Sequence, residues 1–69
     1  MIYKITVKPV DCWHYAPQDW LIALKIIDHD ADVAVLDAKP DGKQIFEVES
    51  SQDLSPVAKV RGVVSVEQQ

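Results

Sequence analysis

The order of periodic segments predicts an α+β fold: a ferredoxin-like plait, β-α-β-β-α-β, with a four-stranded antiparallel sheet and two helices on one face. Three observations carry this expectation. Four segments alternate or are rich in β-branched residues, and two segments between them change to helical spacing. The chain has 69 residues, enough for a single domain, residues 1–69, around one small core. Right-handed crossovers then favour the strand order 4-1-3-2.

"MIYKITVKPV" alternates, with Tyr3, Ile5 and Val7 on one side and Lys4, Thr6 and Lys8 on the other, as a strand with one buried face does. Pro9 ends its pairing. In "APQDWLIALKIIDHD", Pro17 suits a first helical position and Asp19 the positive N-terminal end. Trp20, Ala23, Leu24 and Ile27 then fall at i, i+3, i+4 and i+7, one apolar stripe. Ile22 and Ile26 form a second stripe, expected to be a contact surface that includes self-association into a homodimer.

"DVAVLDAK" and "KQIFEVES" read as a hairpin joined by "KPDGK", where Pro40 presets φ and Gly42 can take positive φ. "SSQDLSPVAKVRG" reads as a short helix with two competing starts. One is the Ser50/Asp53 capping box, the other Ser55 followed by Pro56; Gly62 is the stop. "VVSVE" is the last strand. Alternation assigns Tyr3, Ile5, Val7, Leu36, Phe46, Val48, Val64 and Val66 to the helices. The open face receives Lys4, Thr6, Lys8, Val33, Val35, Ile45, Glu47, Glu49, Val63, Ser65 and Glu67.

Composition narrows the class. With 48% hydrophobic and 26% charged residues and two glycines, the chain is globular rather than disordered. Cys12 is the only cysteine, so no internal disulfide can form, and an unpaired thiol suits a reducing compartment. No apolar run is long enough to span a bilayer and no secretory leader is visible, so the expected location is the cytoplasm, away from membranes. A net charge of −4 and scattered basic residues argue against a nucleic-acid partner.

Few residues look like chemistry. "DCWHY" at residues 11–15 sets a thiol, an indole, an imidazole and a phenol side by side. Its place after the first strand is similar to the metal loop of heavy-metal-associated plaits, which carry Met-x-Cys-x-x-Cys. Here the second cysteine is missing, so Cys12 and His14 are the ligands only of an alternative, metal-handling reading. As a nucleophile, Cys12 lacks an oriented base, since residues two apart on an extended loop point opposite ways, and Asp11 disfavours the thiolate. Trp13 and Tyr15 instead suit contact with a partner. "DHDAD" opens like a calcium loop, but Val33 stands where the turn glycine belongs and Lys39 where the bidentate glutamate belongs. His29 there suits a helix-end cation. Neither the RNA-recognition signature nor the arginine-bearing phosphate loop of acylphosphatases is present; Arg61 is the only arginine. No catalytic residue, cofactor or metal is therefore assigned.

"IFEVESSQDLSPVAKVRGVVSVEQQ", residues 45–69, resembles the C-terminal half of subtilisin propeptides and their free-standing inhibitor relatives. Phe46, Val48, Leu54, Val57, Val60, Val64, Val66 and Glu67 carry the likeness; "IYKITVK" shares only its alternation, and the loop "PVDCWHYAPQDW" does not match. The resemblance implies that the open sheet face docks on a protease, and that Glu67, Gln68 and Gln69 form a tail entering its cleft. The sequence-based expectation is thus a small non-enzymatic protein-binding module, an inhibitor or regulator of a protease or other host enzyme, of a kind phages and mobile elements carry. Its contact residues are Trp13, Tyr15, Val33, Val35, Ile45, Val63 and that tail.

Overall fold

The computed structural model describes residues 1–8 and 19–69. β1 spans Ile2–Val7, α1 Asp19–Ile27, β2 Asp32–Ala38, β3 Gln44–Glu49 and β4 Val63–Gln68, with a 3-10 helix at Ser55–Lys59 before the last strand. The strands form one antiparallel sheet in the order β2-β3-β1-β4, which from the other edge reads 4-1-3-2. The α+β class and the four-stranded antiparallel sheet agree with the sequence reading.

The second α-helix does not. Residues 55–59 make only a five-residue 3-10 helix, with Pro56 in its first turn. The physical reason lies in the spacing of Leu54, Val57 and Val60. They recur every third residue, the 3-10 period, so one side of a tight turn meets the core where an α-helix would rotate them apart. Leu54 and Val57 are fully buried and Val60 packs beside them. Neither expected capping arrangement forms. Asp53 Oδ1 accepts from the backbone N–H and the hydroxyl of Ser55, at 2.9 and 2.6 Å, which holds the Asp53 carboxyl below the ordinary aspartate range. Gly62, with φ 94°, reverses the chain into β4.

α1 packs on the core face through Trp20 and Leu24, both buried. The Trp20 ring lies 4.7 Å from Phe46 at an interplanar angle of 45°, a tilted aromatic pair. Each such fully buried side chain contributes about 1.5–3 kcal/mol of transfer free energy. Lys25 closes the helix, its Nζ donating to the Ala31 carbonyl at 2.6 Å, in keeping with a cation at a helix C-terminus. His29 extends into solvent, with Nδ1 3.5 Å from Asp30 Oδ1. The β2–β3 turn follows its residues: Gly42 sits at φ 94°, Lys39 N–H donates to the Lys43 carbonyl at 2.7 Å, and Lys43 N–H to Asp41 Oδ1 at 3.1 Å.

Both edge strands carry a β-bulge. In β2, Val35 opposes Phe46 while Asp37 opposes Ile45, so Leu36 is the extra residue. In β4, Val63 opposes Val7 while Ser65 opposes Thr6, so Val64 is the extra residue. Bulges at sheet edges break the flat row of unpaired backbone groups that invites edge-to-edge aggregation. They also accompany five reversed face assignments, Val35 among them, since it opposes Phe46 of the core face. Leu36 and Val64, expected inside, are 53% and 55% exposed, whereas Val33 and Val63, expected on the open face, pack against the core.

Candidate interaction surface

α1 and the 3-10 helix both pack on the face of Tyr3, Ile5, Val7, Phe46 and Val48. The other face is open among the described residues, and the register sets its side chains in three cross-strand rows. The first reads Asp32, Glu49, Ile2; the second Ala34, Glu47, Lys4, Glu67; the third Asp37, Ile45, Thr6, Ser65. Ile2, Ala34, Ile45 and the Thr6 methyl give the face an apolar element. Five carboxylates surround it, and Lys4 is the only basic residue in the rows.

The electrostatics of the rows differ. Lys4 stands in the ladder between Glu47 on β3 and Glu67 on β4, opposite charges at neighbouring cross-strand positions. Asp37 is paired along its own strand with Lys39, Nζ to Oδ2 2.7 Å. That hydrogen bond holds the Asp37 carboxyl below its ordinary range and raises Lys39. Asp32 and Glu49 face each other directly, both exposed, as like charges that repel.

Beside that pair the end of the sheet is concave. Met1, Asp28, Asp30, Asp32, Glu49, Ser50 and Ser51 line a depression of about 300 Å³. Ser50, the one buried polar residue among those described, organises it. Its hydroxyl donates to Asp28 Oδ2 at 2.6 Å and accepts from the Gln52 N–H at 3.0 Å, while its carbonyl accepts from the Met1 amino group at 2.9 Å. The Ser50 bond, followed by backbone N–H donors, holds Asp28 below the ordinary aspartate range, so it stays ionised at neutral pH. The Tyr3 hydroxyl donates to the Gln52 carbonyl at 2.9 Å and fixes the neighbouring turn. No group of three His, Cys, Asp or Glu among the described residues is arranged to hold a metal ion.

The expected contact residues divide. Cys12, Trp13, His14 and Tyr15, with Pro9 and Pro17, lie outside the described residues. Ile45 and Glu67 are on the open face. Val33, Val35 and Val63 are not: their cross-strand partners Val48, Phe46 and Val7 place them on the core face, although Val35, at the sheet edge, is 64% exposed. Gln68 pairs with Tyr3 in β4, and the Gln69 N–H donates to the Ile2 carbonyl at 2.8 Å. The residues expected as a tail are therefore held in the sheet. Ile22 and Ile26 are exposed on the solvent side of α1.

Sequence reasoning missed Asp32, Ala34, Asp37 and Ile2 on the open face. The signal was present in β2, where the polar or small Asp32 and Ala34 alternate with Val33 and Val35. The bulk of Leu36 argued for the opposite parity, and only the bulge reconciles it with Val33 and Val35 inside. Comparison with protein families, curated proteins and solved structures yields no match. No helix among the described residues is long and apolar enough to cross a membrane.

Proposed function

We propose that this chain is a small non-enzymatic protein-binding module, an inhibitor or regulator of a larger protein, working through the open face of its sheet. One observation carries the reading: a four-stranded face with Ile2, Ala34 and Ile45 among carboxylates, opposite the face on which α1 and the 3-10 helix pack. A preformed, twisted surface of this kind binds without paying for the ordering of a loop. The strand order and the two helical segments on one side support a ferredoxin-like plait whose second helix is reduced to one 3-10 turn. We place the module in the cytoplasm on its single cysteine. Self-association through Ile22 and Ile26 belongs to the same proposal.

The protease-inhibitor form of the proposal makes a stricter demand. Gln68 and Gln69 would have to leave β1 to enter a cleft, breaking the Gln69 to Ile2 bond. Immobilised chain, with Ile45→Lys on the face and Ile26→Lys on α1 as paired variants, separates these forms in a capture experiment from cell extract read by mass spectrometry. Proteins retained by the wild type and by Ile26→Lys but lost with Ile45→Lys support the face. Identical retention by all three refutes it. Titration of a subtilisin with the intact chain tests the inhibitor form, and the absence of inhibition ends it.

A further inference from the structure

We infer that the partner surface met by the open face is basic, and that one of its Lys or Arg side chains enters the concavity between Asp28, Asp30, Asp32 and Glu49. This deepens the binding-module reading and rests on it. The argument begins with charge complementarity. The face carries Asp32, Asp37, Glu47, Glu49 and Glu67 against Lys4 in the rows, with Lys39 neutralising Asp37 from the end of its strand. An acidic or nucleic-acid partner would be repelled, and a purely apolar one would bury these carboxylates unpaired, at a large desolvation cost.

The distribution of charge points to the end of the sheet where the cation enters. Glu47 and Glu67 have Lys4 between them, and Asp37 has Lys39. Asp32 and Glu49 oppose each other directly in the ladder, an arrangement that disfavours the isolated fold. A cation from outside converts that repulsion into two attractions. The adjoining depression, about 300 Å³, is at the lower limit of ligand pockets and suits one long side chain. Asp30, Asp32 and Glu49 line it, with Asp28 kept ionised by Ser50 and already accepting from the Ser50 hydroxyl and the Asp30 N–H. The single cation of the chain on this lining is the Met1 ammonium, held by the Ser50 carbonyl, against four carboxylates. Ile2, Ala34 and Ile45 beside it give the rest of a basic segment an apolar floor.

The test is a titration of the full 15N-labelled chain with hexalysine at about 50 mM salt, where exposed charges are weakly screened, and with a hexapeptide of acetyl-lysine. Two charge-neutralising doubles are compared. Asp32→Asn/Glu49→Gln removes the opposed pair, and Asp19→Asn/Asp41→Asn removes the same charge elsewhere. Hexalysine should shift amides at residues 2, 32–34, 47–51 first, and the acetylated peptide should not. The opposed-pair double should weaken binding about threefold to tenfold, the sum of two exposed ion pairs, while the control double stays within about twofold of wild type. The opposed-pair double should also keep or raise the urea midpoint, since it relieves repulsion.

Equal weakening by both doubles, shifts spread over α1, no binding of hexalysine, or a lowered urea midpoint in the opposed-pair double would each overturn the proposal. The binding-module reading fails separately. If Ile45→Lys abolishes capture of a partner while hexalysine ignores Asp32 and Glu49, the face binds and only the basic partner is wrong.

Discussion

Neighbouring valines in β4 give the sharpest test of the architecture that makes the open face acidic. Simple alternation puts Val64 in the core and Val63 outside; the bulge at Val64 reverses them. Replacing either by Asp costs about 1 kcal/mol in strand preference. Val64→Asp should cost little more, because that side chain is 55% exposed. Val63 packs beside Val7, which is fully buried. Val63→Asp therefore loses about 1 kcal/mol of apolar transfer, half that of a fully buried valine. It also forces a carboxylate toward apolar neighbours, at a further ~1–3 kcal/mol. The expected total of about 3–5 kcal/mol is large against the ~3.5–10 kcal/mol typical of a chain this length. With a urea dependence of about 1 kcal/mol/M, unfolding followed by far-UV circular dichroism at pH 7 should separate the two midpoints by about 2 M or more. Midpoints within about 0.5 M of each other, or a less stable Val64→Asp, would refute the bulge and with it the composition of the open face.

Other outcomes follow from the same geometry. Trp20→Ala should cost about 3–5 kcal/mol and leave the chain largely unfolded, whereas Trp20→Phe should retain a dispersed amide spectrum by keeping an aromatic against Phe46; equal loss in both would show that the ring pair is unimportant. Ile22→Asp/Ile26→Asp should leave the fold intact, since both side chains are exposed, and should lower the sedimentation mass if the stripe carries self-association; an unchanged mass ends that role. Asp28, held below its ordinary value by Ser50, stabilises the fold above about pH 4, and this contribution disappears as pH falls through the lowered value. The stability gap between wild type and Ser50→Ala should accordingly shrink between pH 5 and about pH 2, and a gap constant over that range would contradict the Asp28 bond.

Much of the fold is legible because its signals are local. Alternation in β1 and β3 needs no knowledge of neighbours: Tyr3, Ile5, Val7, Phe46 and Val48 are where period two puts them. The stripe of Trp20, Leu24 and Ile27 follows from the helical period, and Lys39 to Lys43 from turn chemistry. The edge strands were read less well, since a bulge is a relation between two strands. Nothing within "DVAVLDA" or "VVSVE" states that two residues will oppose one. The second helix was misread for a similar reason. The Ser50/Asp53 box and Ser55–Pro56 both resemble helix starts, and neither caps the 3-10 helix, because Ser50 is engaged by Asp28, a partner distant in sequence, and Asp53 accepts from Ser55.

For the candidate surface, Glu47, Glu49, Glu67 and the apolar Ile45 could be assigned to the open face from the sequence, whereas the rest of its apolar patch could not. Val33 and Val63 belong to the core, and Ile2 and Ala34 take their places. The sequence by itself determined the class, the two central strands, the helix that covers them and the acidic balance, because these rest on periodicity and composition. Only the tertiary structure decided which edge residues face outward, that residues 68–69 stay in the sheet, and that Asp32 meets Glu49 beside Asp28. Cross-strand register joins residues far apart in the chain, and one inserted residue in an edge strand reverses every side chain beyond it.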